Sequence, residues 1–163
     1  MEIKQDLPKF SKQAFDLTTW KLHVSGLVND PRDLNYDDLL SLPRVSLTDD
    51  FFCLEGWKVE DILWEGVKLG DVLALLDLKP EAQYLRLASD GFSIVIPLAR
   101  AVETTTILAL RKGGIPLDEY HGGPVRLVLL GQECYESVKG LNIIEVLEKP
   151  EEGTAAGIAL GRI

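Results

Sequence analysis

The segment from Tyr84 to Ile96 constrains the fold more tightly than any other. Tyr84-Leu85-Arg86-Leu87-Ala88 alternates apolar with polar residues, Ser89-Asp90-Gly91 supplies a tight reversal, and Phe92 to Ile96 returns. Alternation on both sides of a short turn predicts two antiparallel strands. The same period recurs from Trp20 to Gly26, a half-buried strand that ends at glycine. Val45 to Phe52 predicts another strand, which delivers Cys53 to its end. Lys58 to Trp64 reads as extended, and Glu65-Gly66 is expected to turn the chain. Thr106 to Leu110 is a strand before the Gly113-Gly114 break, and Val125 to Leu130 is an apolar run suited to a strand buried on both faces. Val138 to Leu147 is expected to close the fold as a last strand.

Helical signals are few and short. Asn35 can cap a helix over Tyr36 to Leu42, which Pro43 ends. Leu69, Val72, Leu73 and Leu76 share one helical face, so residues 69–77 predict an amphipathic helix. Pro97 can open a single helical turn that runs to Ala101. Many short strands with two or three brief helices make an α+β chain of mixed β-sheets. Its 163 residues suit one domain over 20–150, preceded by an extended arm over 1–19 and followed by a loosely held tail over 151–163.

Charge limits what the chain can bind. A formal net charge of −9 and a pI near 4.7 argue against nucleic acid, which needs a basic face. Any anion site must then be built locally. No run of eighteen apolar residues is present, so no membrane span is expected. The N-terminus has neither a twin-arginine pair nor an apolar leader core, so a cytoplasmic location is expected. Cys53 and Cys134 could pair, but the expected intracellular setting leaves both as free thiols.

Two distant stretches carry the chemistry. Cys53 stands before Leu54-Glu55-Gly56-Trp57, and His121-Gly122-Gly123-Pro124-Val125-Arg126 lies about seventy residues on, followed by Ser137-Val138-Lys139. A lone cysteine is ordinarily a small hydrophobe, whereas a cysteine held as thiolate needs a metal or cation beside it. His121 alone would read as a loop histidine, and Lys139 as solvated charge. Arg126 sits inside an apolar run, and a buried arginine needs an anionic partner, either an aspartate or a phosphate. Ser89 belongs equally to turn chemistry with Asp90-Gly91 or to a bound group. Trp20, Trp57 and Trp64 read as core rather than as a substrate platform.

With these residues in this order, and with the Trp64-Glu65-Gly66-Val67 step between them, the chain resembles the sulfite oxidase family from about Trp20 to Val146. The likeness is to that family's oxidoreductase molybdopterin-binding domain. It implies mixed sheets and short helices around one molybdenum-molybdopterin cofactor. It also implies that Cys53 is the thiolate ligand to molybdenum and the catalytic residue, a soft donor on a redox-active metal. Ser89, His121, Arg126, Ser137, Val138 and Lys139 match cofactor-binding positions. Arg126 would supply planar donors, Lys139 a point charge, and Ser137 a hydroxyl near the phosphate. The arm around Lys9 and Phe10 is expected to cover the cofactor.

The resemblance implies an oxidoreductase working by oxygen-atom transfer or related two-electron chemistry on a small substrate. Sulfite oxidases carry a basic patch beside the cysteine, whereas here Glu55 follows it. An acid facing the metal would repel an oxyanion. A neutral or weakly charged substrate such as a sulfoxide is therefore expected first, and sulfite second. No Cys-x-x-Cys-His haem motif occurs, so a separate electron donor or acceptor is expected. The alternative is a cofactor-binding or storage module without turnover.

Overall fold

Two β-sheets share the chain in the computed structural model, which describes residues 2–4, 13–53, 56–89, 92–129 and 138–150, without the side chains of residues 49 and 51–53. In chain order the first elements are β1 (Glu2–Lys4), β2 (Lys21–Gly26), β3 (Leu34–Asn35), α1 (Tyr36–Leu40) and β4 (Arg44–Cys53). Then come β5 (Trp57–Lys68), α2 (Leu69–Ala74), β6 (Tyr84–Ser89), β7 (Phe92–Pro97) and α3 (Leu98–Ala101). The last are β8 (Thr106–Lys112), β9 (Ile115–Pro116), β10 (Arg126–Leu129) and β11 (Ile143–Leu147).

The larger sheet is built on β5. Among the described residues it has six strands. β4 folds back along β5 from Arg44 opposite Val67 to Cys53 opposite Trp57. β1 runs parallel to its first residues, and β8 pairs antiparallel with its second half. β10 and β9 both pair with β8. The smaller sheet has the order β3-β2-β11-β6-β7, with β11 parallel to β2 and antiparallel to β6.

Burial explains why β8 and β10 are apolar without alternation. Leu108 and Leu110 join a core that draws on both sheets and all three helices. Ile107 and Ala109, on the opposite face, join Trp57, Ile62, Trp64 and Val128 in a second core. A strand with core on each side has no face left for polar residues. In β10, Leu127 and Leu129 face the first core and Val128 the second, so Arg126, two residues before Val128, shares the second core's side.

The predicted hairpin forms as β6 and β7, with Ser89 opposite Phe92. Asn35 caps α1, accepting from the Asp38 amide at 2.8 Å while the Asp38 carboxylate accepts from the Asn35 amide at 2.9 Å. Such a reciprocal cap contributes about 1 kcal/mol.

Two expectations are corrected. Glu65-Gly66 does not turn the chain, because β5 continues through it to Lys68. The step is instead a register shift against β8, and a Cβ on Gly66 would overlap the Leu108 carbonyl oxygen. Glycine is there for close approach of two backbones rather than for reversal. The last strand starts at Ile143, not at Val138. Lys139 and Gly140 form a turn, Gly140 with φ +60°, before the strand begins. Ser137, Glu55, Cys134, the Lys9-Phe10 stretch and the tail over 151–163 lie outside the described residues.

Candidate functional site

Two antiparallel segments, residues 121–127 and 138–142, lie side by side and bring most of the sequence-predicted residues together. The Leu127 amide donates to the Val138 carbonyl at 2.9 Å, the Gly140 amide to Gly122 at 2.9 Å, and the Leu141 amide to Val125 at 2.9 Å. This pairing sets Lys139 against the glycine pair. Gly122 has φ +87°, and a Cβ there would lie 2.9 Å from the Lys139 Cβ. A side chain at this position would be both strained and crowded. Lys139 is half-buried, whereas the Val138 side chain belongs to the core, so only the backbone of Val138 can serve a ligand.

Arg126 is fully buried. Its Nη1 donates to the His121 carbonyl at 3.3 Å, and its guanidinium carbon lies 5.2 Å from the centre of the Trp64 ring. A desolvated cation over an indole is worth about 2 kcal/mol. The guanidinium therefore ties the His121 loop to the sheet.

The loop itself is tied down by Asp118. Its carboxylate accepts from the His121 ring Nδ1 at 2.8 Å and from the Tyr120 amide at 2.9 Å. Burial pushes this carboxyl up, but the hydrogen bonds from His121 and Tyr120 outweigh it and hold the group below its ordinary value of 3.8. An ionised carboxylate only accepts, so Nδ1 carries the hydrogen. The His121 ring, 12% exposed, borders a small cleft of about 130 Å³ with Lys112, Pro116 and Leu117.

A larger cleft lies beside it, about 340 Å³ in volume. Ser89, at the end of β6, lines it together with Gly123, the cis-bonded Pro124, Gly140 and Asn142. Gln13, Ala14 and Phe15 of the N-terminal arm form another wall, with Trp20. This volume falls in the range of small-ligand sites, about 300–1,000 Å³. Its polar groups are backbone, hydroxyl and amide groups, and none of these lining side chains is charged. Asn142 Oδ1 is buried and has no hydrogen-bond partner among the described residues. Neutral donors and acceptors around a cleft fit a pterin ring, which carries both, and Lys139 at the adjoining turn fits an anionic tail. The residues present thus suit molybdopterin.

Ser89 is in the large cleft, and Arg126, Lys139 and Val138 lie in or beside the loops that wall it. The His121 ring borders the smaller cleft instead. Cys53 closes β4 as its last residue, at the turn end of the β4–β5 hairpin, and its side chain is not among those described. Along β5, its partner Trp57 lies nine positions (66 − 57) before Gly66, which sits opposite Ala109, the partner of Arg126. Sequence reasoning missed Asp118, Asn142 and Gln13. Asp118, three residues before His121, was the one with a local signal, since an acid at that spacing can close a turn on a ring nitrogen. Trp57 and Trp64 are core, as expected, while Trp20 both packs on the core and lines the cleft.

Comparisons with known proteins identify the family. The family model described as "Oxidoreductase molybdopterin binding domain" matches residues 9–155. The oxidoreductase YuiH of Bacillus subtilis (strain 168) is 34% identical over 139 residues, covering 85% of this chain and 70% of its own. The protein-methionine-sulfoxide reductase catalytic subunit MsrP of Xanthomonas campestris is 28% identical over 164 residues, covering 89% of this chain and 50% of its own. The chain thus spans about half the length of that relative. Among solved structures, the sulfane dehydrogenase SoxCD from Paracoccus pantotrophus superposes with a TM-score of 0.78 at 24% identity, over 85% of this chain and 40% of that one. At that identity the likeness concerns the fold, and it is the mixed-sheet fold expected. No helix among the described residues is long and apolar enough to cross a membrane. The chain belongs to the sulfite oxidase family of molybdopterin-dependent oxidoreductases, and the domain it carries is the oxidoreductase molybdopterin-binding domain.

Proposed function

We propose that the large cleft holds the molybdenum cofactor and that the protein reduces a small neutral acceptor such as a sulfoxide, with sulfite as the second candidate substrate. The observation that carries this reading is the convergence of Ser89, Gly123-Pro124, Gly140 and Asn142 on one uncharged cleft beside Lys139. When bound, the cofactor supplies two-electron chemistry at molybdenum, including oxygen-atom transfer.

The chain's own residues bind and orient. Cys53 is the thiolate ligand to the metal. Ser89 offers a hydroxyl, and Gly123, Val138 and Gly140 offer backbone groups to the pterin. Lys139, with Ser137, takes the anionic tail. Arg126, held by Trp64 and the His121 carbonyl, keeps the His121 loop against the sheet. The preference for a neutral substrate is supported by the net charge of −9 and by Glu55 two residues after the cysteine. The MsrP relative, named for methionine sulfoxide, supports it too. These 163 residues contain no haem-attachment motif, so electrons come from or go to a carrier outside this domain.

The test is molybdenum and pterin content per chain after expression in a host that makes the cofactor, for wild type and Cys53→Ser. A loss of tenfold or more in bound molybdenum is expected in the variant, and equal metal in the two proteins rejects the assignment of Cys53. Reoxidation of a reduced viologen dye by a sulfoxide tests turnover, and its absence with every sulfoxide and N-oxide tried, together with no reduction of an acceptor dye by sulfite, leaves a binding module.

A further inference from the structure

Asp118 makes four hydrogen bonds to the loop that follows it. Its carboxylate accepts from the His121 ring and the Tyr120 amide, at 2.8 and 2.9 Å. Its backbone carbonyl accepts from the His121 amide at 3.2 Å and from the Gly123 amide at 2.9 Å. Those residues are the ones that shape the site, since Gly123 walls the large cleft and His121 the small one. The next residue, Glu119, accepts from the Gln13 amide at 2.9 Å through its backbone carbonyl, which ties another lining segment of the cleft to the same turn. All of these bonds are internal to the protein, so the loop is shaped before any ligand arrives.

We propose that Asp118 is the positioning residue of this site: it fixes the tautomer and direction of the His121 ring and locks the turn that presents Gly123 and Pro124 to the cleft. Acting through its neighbours rather than on a ligand, it preorganises the binding wall, which reduces the ordering cost of association. A histidine whose Nδ1 carries the hydrogen has Nε2 as its acceptor, so the ring presents a lone pair to any donor that approaches. The consequence for cofactor retention rests on the cleft being the cofactor site. The positioning itself does not.

The readout is the His121 tautomer in the full-length protein, by long-range ¹H–¹⁵N correlation at alkaline pH, where a neutral imidazole is observed. His23, which sits 3.1 Å from Asp33, is the internal control. Wild type is expected to show His121 with hydrogen on Nδ1, and hydrogen on Nε2 in wild type overturns the proposal outright. Asp118→Ala is expected to shift His121 toward the Nε2 form and to speed Tyr120 amide exchange at least tenfold, with His23 unchanged. Asp118→Asn keeps a side-chain oxygen as acceptor and is expected to restore both, which decides the matter if the alanine variant does not fold. An unchanged tautomer in Asp118→Ala overturns the proposal. Molybdenum retained per chain separates the two claims. A several-fold loss alongside the tautomer change supports both, and unchanged retention with a changed tautomer leaves the positioning role standing while overturning its consequence for cofactor retention.

Discussion

A buried guanidinium is costly unless its charge and its donors are met, and for Arg126 an indole face and a carbonyl meet part of that need. Lysine keeps the charge but has neither a planar face for the ring nor the reach of a fork. Arg126→Lys is therefore expected to lower stability by about 2–3 kcal/mol in denaturant titrations, and a loss under about 0.5 kcal/mol would show the stacking to be incidental. Asp118 gives a pH prediction whose sign is fixed. A carboxyl held below its unfolded value adds stability above that value and gives it up as pH falls through the lowered folded value. Acid loosening of the 118–123 turn is thus expected only below pH 3.8, the ordinary value. A ¹³C titration of Asp118 with its midpoint above 3.8 would contradict this. Arg126 was readable as a buried cation from its apolar neighbours, whereas Asp118 offered only its spacing from His121 as a sign that it anchors the loop. That role depends on four donors arriving at one residue, and this depends on the local path of the chain.

At the scale of elements, the sheet tolerates no side chain where β5 crosses β8. Gly66→Ala would drive a methyl group into the Leu108 carbonyl, a backbone atom that cannot swing aside. The expected result is a loss of about 3 kcal/mol or more, or failure to fold, whereas Gly113→Ala, with open space around it, should cost much less despite its positive φ. Equal melting temperatures for the two variants would remove the close-approach account. The strands themselves were legible, because alternation and apolar runs follow from which faces are covered. The Glu65-Gly66 step was misread for a physical reason. Glycine before a helix signals reversal and backbone contact equally well, and only the position of β8 distinguishes them. The late start of β11 has the same character, since Val138 is apolar enough for a strand but is occupied in a turn-bound core contact.

The whole molecule carries a charge of −9, which acts on any anion that approaches it. Screening shortens this field to about 10 Å at 0.1 M salt. If sulfite is turned over, its kcat/KM is expected to rise several-fold as ionic strength increases from about 10 to 150 mM, while that of a neutral sulfoxide stays within about twofold. A flat profile for sulfite would mean that local cations cancel the global field at the site. Taken by itself, the sequence determined the α+β class, the longer strands, the family and the residue types that chemistry requires, while the short β1, β3 and β9 went unread. These follow from periodicity, composition and short motifs, all of which are local along the chain. Only the tertiary structure decided that Ser89, Gly123 and Asn142 share one cleft and that the His121 ring borders another. Contacts between segments some twenty to fifty residues apart are set by how two sheets pack and by hydrogen-bond register, and neither leaves a mark on local sequence.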